Sequence, residues 1–147
     1  MPNLPEGNVV PMNLQKVTQL VFVCSGAADV GELTDRAARK LRADGLAAMS
    51  CLASVGARDA DIMFNTDLAE RVLLIDGCPN ACARRTFTRA GLHRFRHFDL
   101  SDVDLLKGGS PVTPENIQRV VNKAAAMLGV TRLESASHAS LLPQTTA

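Results

Sequence analysis

Apolar runs typical of buried strands alternate along this chain with segments that carry apolar residues at helical spacing. The clearest strand is Arg71–Asp76, whose Val-Leu-Leu-Ile centre suits a strand covered on both faces. A second run at 17–23 precedes a segment in which Val30, Leu33 and Ala37 recur at helical spacing. Strands that alternate with helices form parallel sheets covered on both faces. The pattern therefore predicts a three-layer α/β fold with a mainly parallel four-stranded sheet in the order 2-1-3-4.

Local signals predict where the helices begin. Asp29 is predicted to be the N-cap of the first helix, with Glu32 completing a capping box, and a short helix is predicted at 57–65. Pro79 is predicted to open the helix after the third strand, because its missing N–H costs nothing there. Thr113 is the predicted N-cap of the last helix. The remaining strands are expected within 46–52 and 95–100.

Length and composition are those of one soluble globular domain. The 147 residues are 46% hydrophobic and 21% charged, which is typical of one globular domain. We expect a single α/β domain at 15–130 with flexible segments at 1–14 and 131–147. A net charge of +1 gives no support to nucleic-acid binding. No apolar run is long enough to span a bilayer and the N-terminus does not resemble a signal peptide, so we expect a cytoplasmic protein without membrane contacts.

The four cysteines have a regular relation to the predicted strands. Cys24, Cys51 and Cys78 are each separated by 27 residues, about one strand-plus-helix repeat, and each comes just after a predicted strand. Ligand sites of parallel sheets lie beyond the carboxyl ends of their strands. Cys82 follows Cys78 by four residues, which on a helix would place both on one face. The spacing predicts that the four sulfurs converge on one site.

Zinc suits such a site because it is borderline soft and accepts a tetrahedron of thiolates. Reducing cytosol disfavours structural disulfides, which leaves metal binding or thiol chemistry to explain the cysteines. Helices that begin after the strands would direct N–H groups towards the sulfurs, and Arg84 and Arg85 could offset their negative charge. The groups next to the cysteines are candidates to hold the ligands in place: Ser25, Gly26, Asp76 and Gly77.

Other interpretations of the same residues stay open. Each cysteine could be a small buried hydrophobe, and four thiols also suit an iron–sulfur cluster or a reversible disulfide. His93 and His97 are expected at solvated positions and His138 in the C-terminal tail. The Lys-Gly-Gly-Ser segment at 107–110 lacks the spacing of a phosphate loop and is predicted to be a flexible connection.

Three segments resemble the DGC-domain family of zinc-binding proteins. They are Val-Cys-Ser-Gly at 23–26, Met-Ser-Cys-Leu-Ala at 49–53 and Ile-Asp-Gly-Cys-Pro-Asn-Ala-Cys-Ala-Arg at 75–84. The family is described as having four potential chelating cysteines, which the resemblance assigns to Cys24, Cys51, Cys78 and Cys82. Many relatives have a further cysteine near the first motif, where this chain has Ala27 and Ala28. The resemblance covers roughly residues 17–128 and implies a site without implying an activity.

The function expected from the sequence is that of a zinc-binding sensor, carrier or accessory protein. A zinc ion with four protein ligands has no open position for water, which argues against a metal-dependent hydrolase and, more broadly, against an enzyme. The alternative is a thiol redox or iron–sulfur protein that uses the same cysteines. The metal ion is the one partner that the sequence indicates, and protein partners are not predicted.

Overall fold

A computed structural model describes residues 19–130, which form an all-parallel four-stranded sheet in the order β2-β1-β3-β4. The strands are β1 (Gln19–Val23), β2 (Ala48–Met49), β3 (Arg71–Asp76) and β4 (Arg96–Asp99). The helices are α1 (Asp29–Ala43), α2 (Leu52–Gly56), α3 (Ala60–Leu68), α4 (Cys82–Arg89) and α5 (Pro114–Leu128), with a 3-10 turn at Leu100–Val103. The predicted fold class and strand order are confirmed.

Side chains of the central strands alternate between two apolar layers, as expected of a sheet that is covered on both faces. Val21 and Leu73 point to the layer formed by α1 and α5. Phe22 and Leu74 point to the opposite layer, where Val55 of α2 and Phe87 of α4 pack. The rings of Phe22 and Phe87 meet edge to face with their centroids 4.8 Å apart. This packing holds α2 and α4 on one face of the sheet and α1 on the other.

The predicted helix at 57–65 is wrong in its bounds, because the helix there, α3, begins at Ala60 and ends at Leu68, and the separate helix α2 ends just before it at Gly56. Arg58 adopts a left-handed backbone conformation with φ of 58°, which ends α2. The carboxylate of Asp59 then accepts the Ile62 N–H at 3.0 Å and begins α3 as a side-chain N-cap.

The segment at 107–110, predicted to be flexible, is attached to the start of α1. Asp29 is the first residue of α1 and not its N-cap, so that prediction is wrong. The N-cap is Ala28, which makes no side-chain hydrogen bond to the helix. Its carboxylate accepts the Gly108 and Ser110 N–H groups, each at 2.9 Å. These bonds hold the pKa of the Asp29 carboxyl below its ordinary value, the Gly108 N–H contributing most.

The last helix begins as predicted, since the Thr113 hydroxyl accepts the Asn116 N–H at 3.2 Å and Pro114 is the first helical residue. No helix within 19–130 combines the length and apolar character that crossing a bilayer demands. The predicted flexible segments at 1–14 and 131–147, together with His138, lie outside the described residues.

Candidate functional site

Three thiols follow three neighbouring parallel strands at the same edge of the sheet. Cys24 comes directly after β1, and its N–H continues the sheet by donating to the Ile75 carbonyl at 3.1 Å. Cys51 and Cys78 each lie two residues past the ends of β2 and β3. Cys24 and Cys78 are half-buried, whereas Cys51 and Cys82 are exposed. The common structural position predicted from the 27-residue interval is therefore present.

The Cys24 thiol is half-buried and has two polar neighbours. Its Sγ accepts the Gly77 N–H at 3.0 Å and lies 3.7 Å from Oγ1 of the buried Thr34. Burial raises the pKa of the Cys24 thiol, and the two hydrogen bonds partly oppose that effect. Electrostatic effects of Asp76 and, to a smaller extent, Cys82 raise this pKa further.

Gly77 is required by a close approach between the strand end and α1. A Cβ at Gly77 would lie 2.9 Å from the carbonyl carbon and oxygen of Val30, in the first turn of α1. No side chain fits between these backbones, and their proximity lets the Gly77 N–H reach Cys24. The glycine of the Asp-Gly-Cys motif thus connects the first strand end to the third.

Asp76 is 1% exposed and anchors α4 from the end of β3. Its carboxylate accepts the N–H groups of Ala83 at 2.7 Å and Arg84 at 3.2 Å, which are donors that the helix itself leaves free. The N-cap residue Ala81 has no side chain able to do this. Asp76 therefore caps α4 from a position seven residues before Ala83.

His97 is not at a solvated position, so that prediction is wrong. Its Nε2 lies 2.9 Å from Oδ2 of Asp76, and its side chain is only 16% exposed. His93 is exposed, as predicted. The contact reaches across from β4, the strand next to β3, and holds the carboxylate that caps α4.

The Cys78–Cys82 segment differs from its prediction. Pro79 does not open a helix, because α4 begins only at Cys82 and the intervening residues form a turn closed by the Ala81 N–H on the Cys78 carbonyl at 3.0 Å. Ala81 is in the left-handed conformation with φ of 50°, which costs a non-glycine residue about 1–2 kcal/mol. Cys78 and Cys82 therefore flank a tight turn and do not share a helix face.

The exposed Cys82 thiol also accepts an amide hydrogen bond. Asn80 Nδ2 donates to Cys82 Sγ at 3.1 Å, and Asn80 Oδ1 in turn accepts from the Arg85 guanidinium at 3.1 Å. Arg85 thus orients the amide that contacts the sulfur. The sequence had indicated Arg85 as a source of positive charge, but it gave no signal for the part played by Asn80.

Cys51 is the N-cap residue of α2 and borders a cleft of about 430 Å³. The pKa of its thiol is lowered by the nearby Ser54, through the hydroxyl first and then the N–H. A thiol with these properties is both a good metal ligand and a good nucleophile. The cleft is lined by apolar groups, including Val23, Met49 and Leu52, and by four polar residues besides Cys51, which are Ser25, Asp35, Ser50 and Thr86.

The four thiols share one edge, but they do not form a closed cage. Among residues 19–130, no three His, Cys, Asp or Glu side chains come together in an arrangement able to hold a metal ion. Ser25 and Gly26, predicted to support the ligands, make no hydrogen bond to a thiol within the same residues. Gly26 instead packs its backbone against Gly31 of α1, where a Cβ would lie 3.1 Å from the Gly26 nitrogen.

Comparison with known proteins agrees with the motif. The family model of the DGC domain matches residues 20–124. The anaerobic and virulence modulator AnvM of Pseudomonas aeruginosa is 33% identical to this chain over 88 residues, which are 60% of the chain and 67% of that protein. No solved structure matches the chain.

Proposed function

The chain belongs to the DGC-domain family, and we propose that it is a regulatory protein that binds one zinc ion through Cys24, Cys51, Cys78 and Cys82. The observation that carries the proposal is the pair of N–H···S hydrogen bonds, from Gly77 to Cys24 and from Asn80 to Cys82. Hydrogen bonds to sulfur favour the charged thiolate, which is the form that binds metal, and at Cys24 they oppose the burial that raises the pKa of the thiol.

The chemistry of the donors fits zinc. A site made only of thiols suits a soft or borderline metal ion. Zinc is borderline soft and readily binds four sulfurs in a tetrahedron. The N-terminus of α4 and the guanidinium of Arg85 bring positive charge to the same edge, which offsets the charge of the thiolates. Asp76 and His97 keep the start of that helix in place.

Binding of one ion by all four thiols requires a rearrangement, because no three of them are arranged to hold a metal. The exposed thiols, Cys51 and Cys82, stand at the beginnings of the short helices α2 and α4. Zinc would supply a fixed link between these helices and the strand ends. In this proposal α2 and α4 move when zinc binds, and that movement is the basis of the regulatory role. The name of the relative, a virulence modulator, supports a regulatory role for this chain.

Metal analysis of anaerobically purified protein tests the proposal. We expect about one zinc per chain, a colourless solution, and loss of zinc in the Cys24→Ser and Cys82→Ser variants. Ser25→Ala is the matched control, because the Ser25 side chain makes no hydrogen bond to a thiol in the described residues. Iron with visible absorption bands, or zinc retained by both cysteine variants, would contradict the proposal.

Thiol redox chemistry is the second candidate, and the opposite pKa shifts of Cys51 and Cys24 favour it. Cys51 is exposed with a lowered pKa, while burial raises the pKa of Cys24. An exposed thiolate and a protected thiol at one sheet edge are the parts from which a reversible disulfide is made. A disulfide between any two of the four cysteines that forms with mild oxidant in protein purified without bound metal would favour this candidate over the first.

A further inference from the structure

Four arginines project from one surface made by α4 and the end of α2. We call it the arginine face and define it as Arg58, Arg84, Arg85 and Arg89, all of which are exposed. A groove of about 300 Å³ is lined by the three arginines of α4 together with Thr88. A second groove of about 220 Å³ lies between Arg58 and Arg89 and includes Val55 and Ala90 in its floor. Arg89 borders both grooves.

These arginines lack the carboxylate partners that three basic residues of α1 have on the opposite face of the sheet. On α1, Arg36, Arg39 and Lys40 each form an ion pair with a carboxylate four residues away, at 3.2, 2.7 and 2.9 Å. Within residues 19–130, none of the four members of the arginine face is in an ion pair. The paired basic residues of α1 stabilise their own helix, whereas the residues of the arginine face do not form such pairs.

The positions of the arginines in α4 are unfavourable for the stability of that helix. Arg84 and Arg85 lie in its first turn, where the dipole favours acidic residues and none is present. Arg85 and Arg89 are four residues apart, a spacing at which like charges repel. Helix stability therefore does not account for the arrangement. Arg85 donates one hydrogen bond to Asn80 Oδ1, which explains its own position but not those of Arg58, Arg84 and Arg89. A negatively charged ligand would remove both sources of repulsion.

The threonine hydroxyls between the arginines are not available to donate a hydrogen bond to an anion. The hydroxyls of Thr86 and Thr88 already donate to the carbonyls of Cys82 and Arg84, at 2.8 and 2.9 Å. The guanidinium groups are then the donors of this surface, and their planar fork binds a carboxylate through two parallel hydrogen bonds.

We propose that the arginine face is a docking surface for an acidic segment of a partner protein. Carboxylates at alternate positions of an extended segment lie on one side about 6.7 Å apart. Arg85 and Arg89 are separated by about 6 Å along the helix axis, which matches that repeat. This inference goes beyond metal binding and does not depend on it.

A short acidic segment fits this surface better than a nucleic acid. The chain has a net charge of only +1, which gives little long-range attraction for a long polyanion. Asp59 and Asp61 are exposed at the start of α3, directly after Arg58, and would repel a polyanion that extended beyond the two grooves.

Fluorescence anisotropy with a labelled hexaglutamate peptide tests the proposal on the full chain at low salt. The test variant is Arg58→Glu with Arg89→Glu, two residues that contact no thiol. The control is Arg36→Glu with Arg39→Glu, which changes the net charge equally on the opposite face of the sheet. Circular dichroism and the zinc content establish that both variants are folded and that the metal site is unaffected.

We expect the wild type and the control to bind the peptide and the test variant to bind it at least about tenfold more weakly, because charge pairs are lost at the surface. Equal weakening in both variants would overturn the proposal, since net charge alone would then explain it. Absence of peptide binding by the wild type would also overturn it. Inorganic tripolyphosphate that binds more than about tenfold tighter than the peptide would assign the surface to phosphoryl ligands instead.

Discussion

The backbone N–H of Gly77 donates to the sulfur of Cys24 at 3.0 Å, across 53 residues of sequence. This bond joins the ends of the two central strands at the edge where all four cysteines lie. It depends on the absence of a side chain at Gly77, because a Cβ would come within 2.9 Å of the Val30 carbonyl. The glycine and the first cysteine therefore act as one structural unit.

Gly77→Ala is expected to destabilise the fold and weaken metal binding together. The added methyl group must displace the Val30 backbone, and overpacking of this kind costs about 1–3 kcal/mol. Urea unfolding measures the first effect and zinc competition with a chromophoric chelator measures the second. Gly109→Ala is the matched control, because its nearest contact would be an ordinary 3.9 Å. Equal stability of the two variants would show that the close approach is not rigid.

Asp76→Ala is expected to lower the free energy of unfolding by about 3 kcal/mol, because it leaves buried N–H groups of α4 without their acceptor. His97 would also lose its partner. The same substitution at Asp99, which caps the 3-10 turn through the Ser101 N–H at 2.9 Å, should cost only about 1 kcal/mol. Chemical denaturation of both variants tests the difference, and a smaller loss for Asp76→Ala than for Asp99→Ala would contradict the role given to Asp76.

The attachment of the 107–110 segment to Asp29 should weaken only in acid. The folded pKa of Asp29 lies below the ordinary value of 3.8, so its contribution to stability is complete above pH 3.8. It is lost as the pH falls through the lowered folded pKa. NMR chemical shifts of the Gly108 and Ser110 amides should report a transition with a midpoint below pH 3.8 that Asp29→Asn abolishes. A midpoint at or above 3.8 would contradict the contact.

Metal-free protein should show a clear order of thiol reactivity. Cys51, exposed and with a lowered pKa, should be alkylated by iodoacetamide faster than the half-buried Cys24, whose pKa is raised. Ser54→Ala should raise the midpoint of the Cys51 rate against pH, since the Ser54 hydroxyl is the largest cause of the lowered pKa. Ser50→Ala serves as the control. Peptide mass spectrometry separates the sites, and equal rates at Cys51 and Cys24 would contradict these environments.

The sequence predicted the features that depend on local periodicity and strand order. β3 has the predicted bounds, and three cysteines follow strand ends because the strand-plus-helix repeat is regular. The predicted start of α4 was wrong, because the helix is capped by Asp76, which lies seven residues before the capped Ala83, and not by an adjacent residue. His97 was placed wrongly because its partner lies 21 residues away on another strand. Contacts of this kind depend on tertiary packing and leave no local pattern.

Extended X-ray absorption fine structure measured at the zinc edge tests the central claim most directly, because it counts the sulfur atoms bound to the metal. Zinc-loaded protein purified without oxygen is the sample. We predict four sulfur neighbours at about 2.3 Å and no nitrogen or oxygen neighbour at the shorter distances of about 2.0–2.2 Å. Fewer than four sulfurs, or a shell that contains nitrogen or oxygen, would contradict a site made from Cys24, Cys51, Cys78 and Cys82.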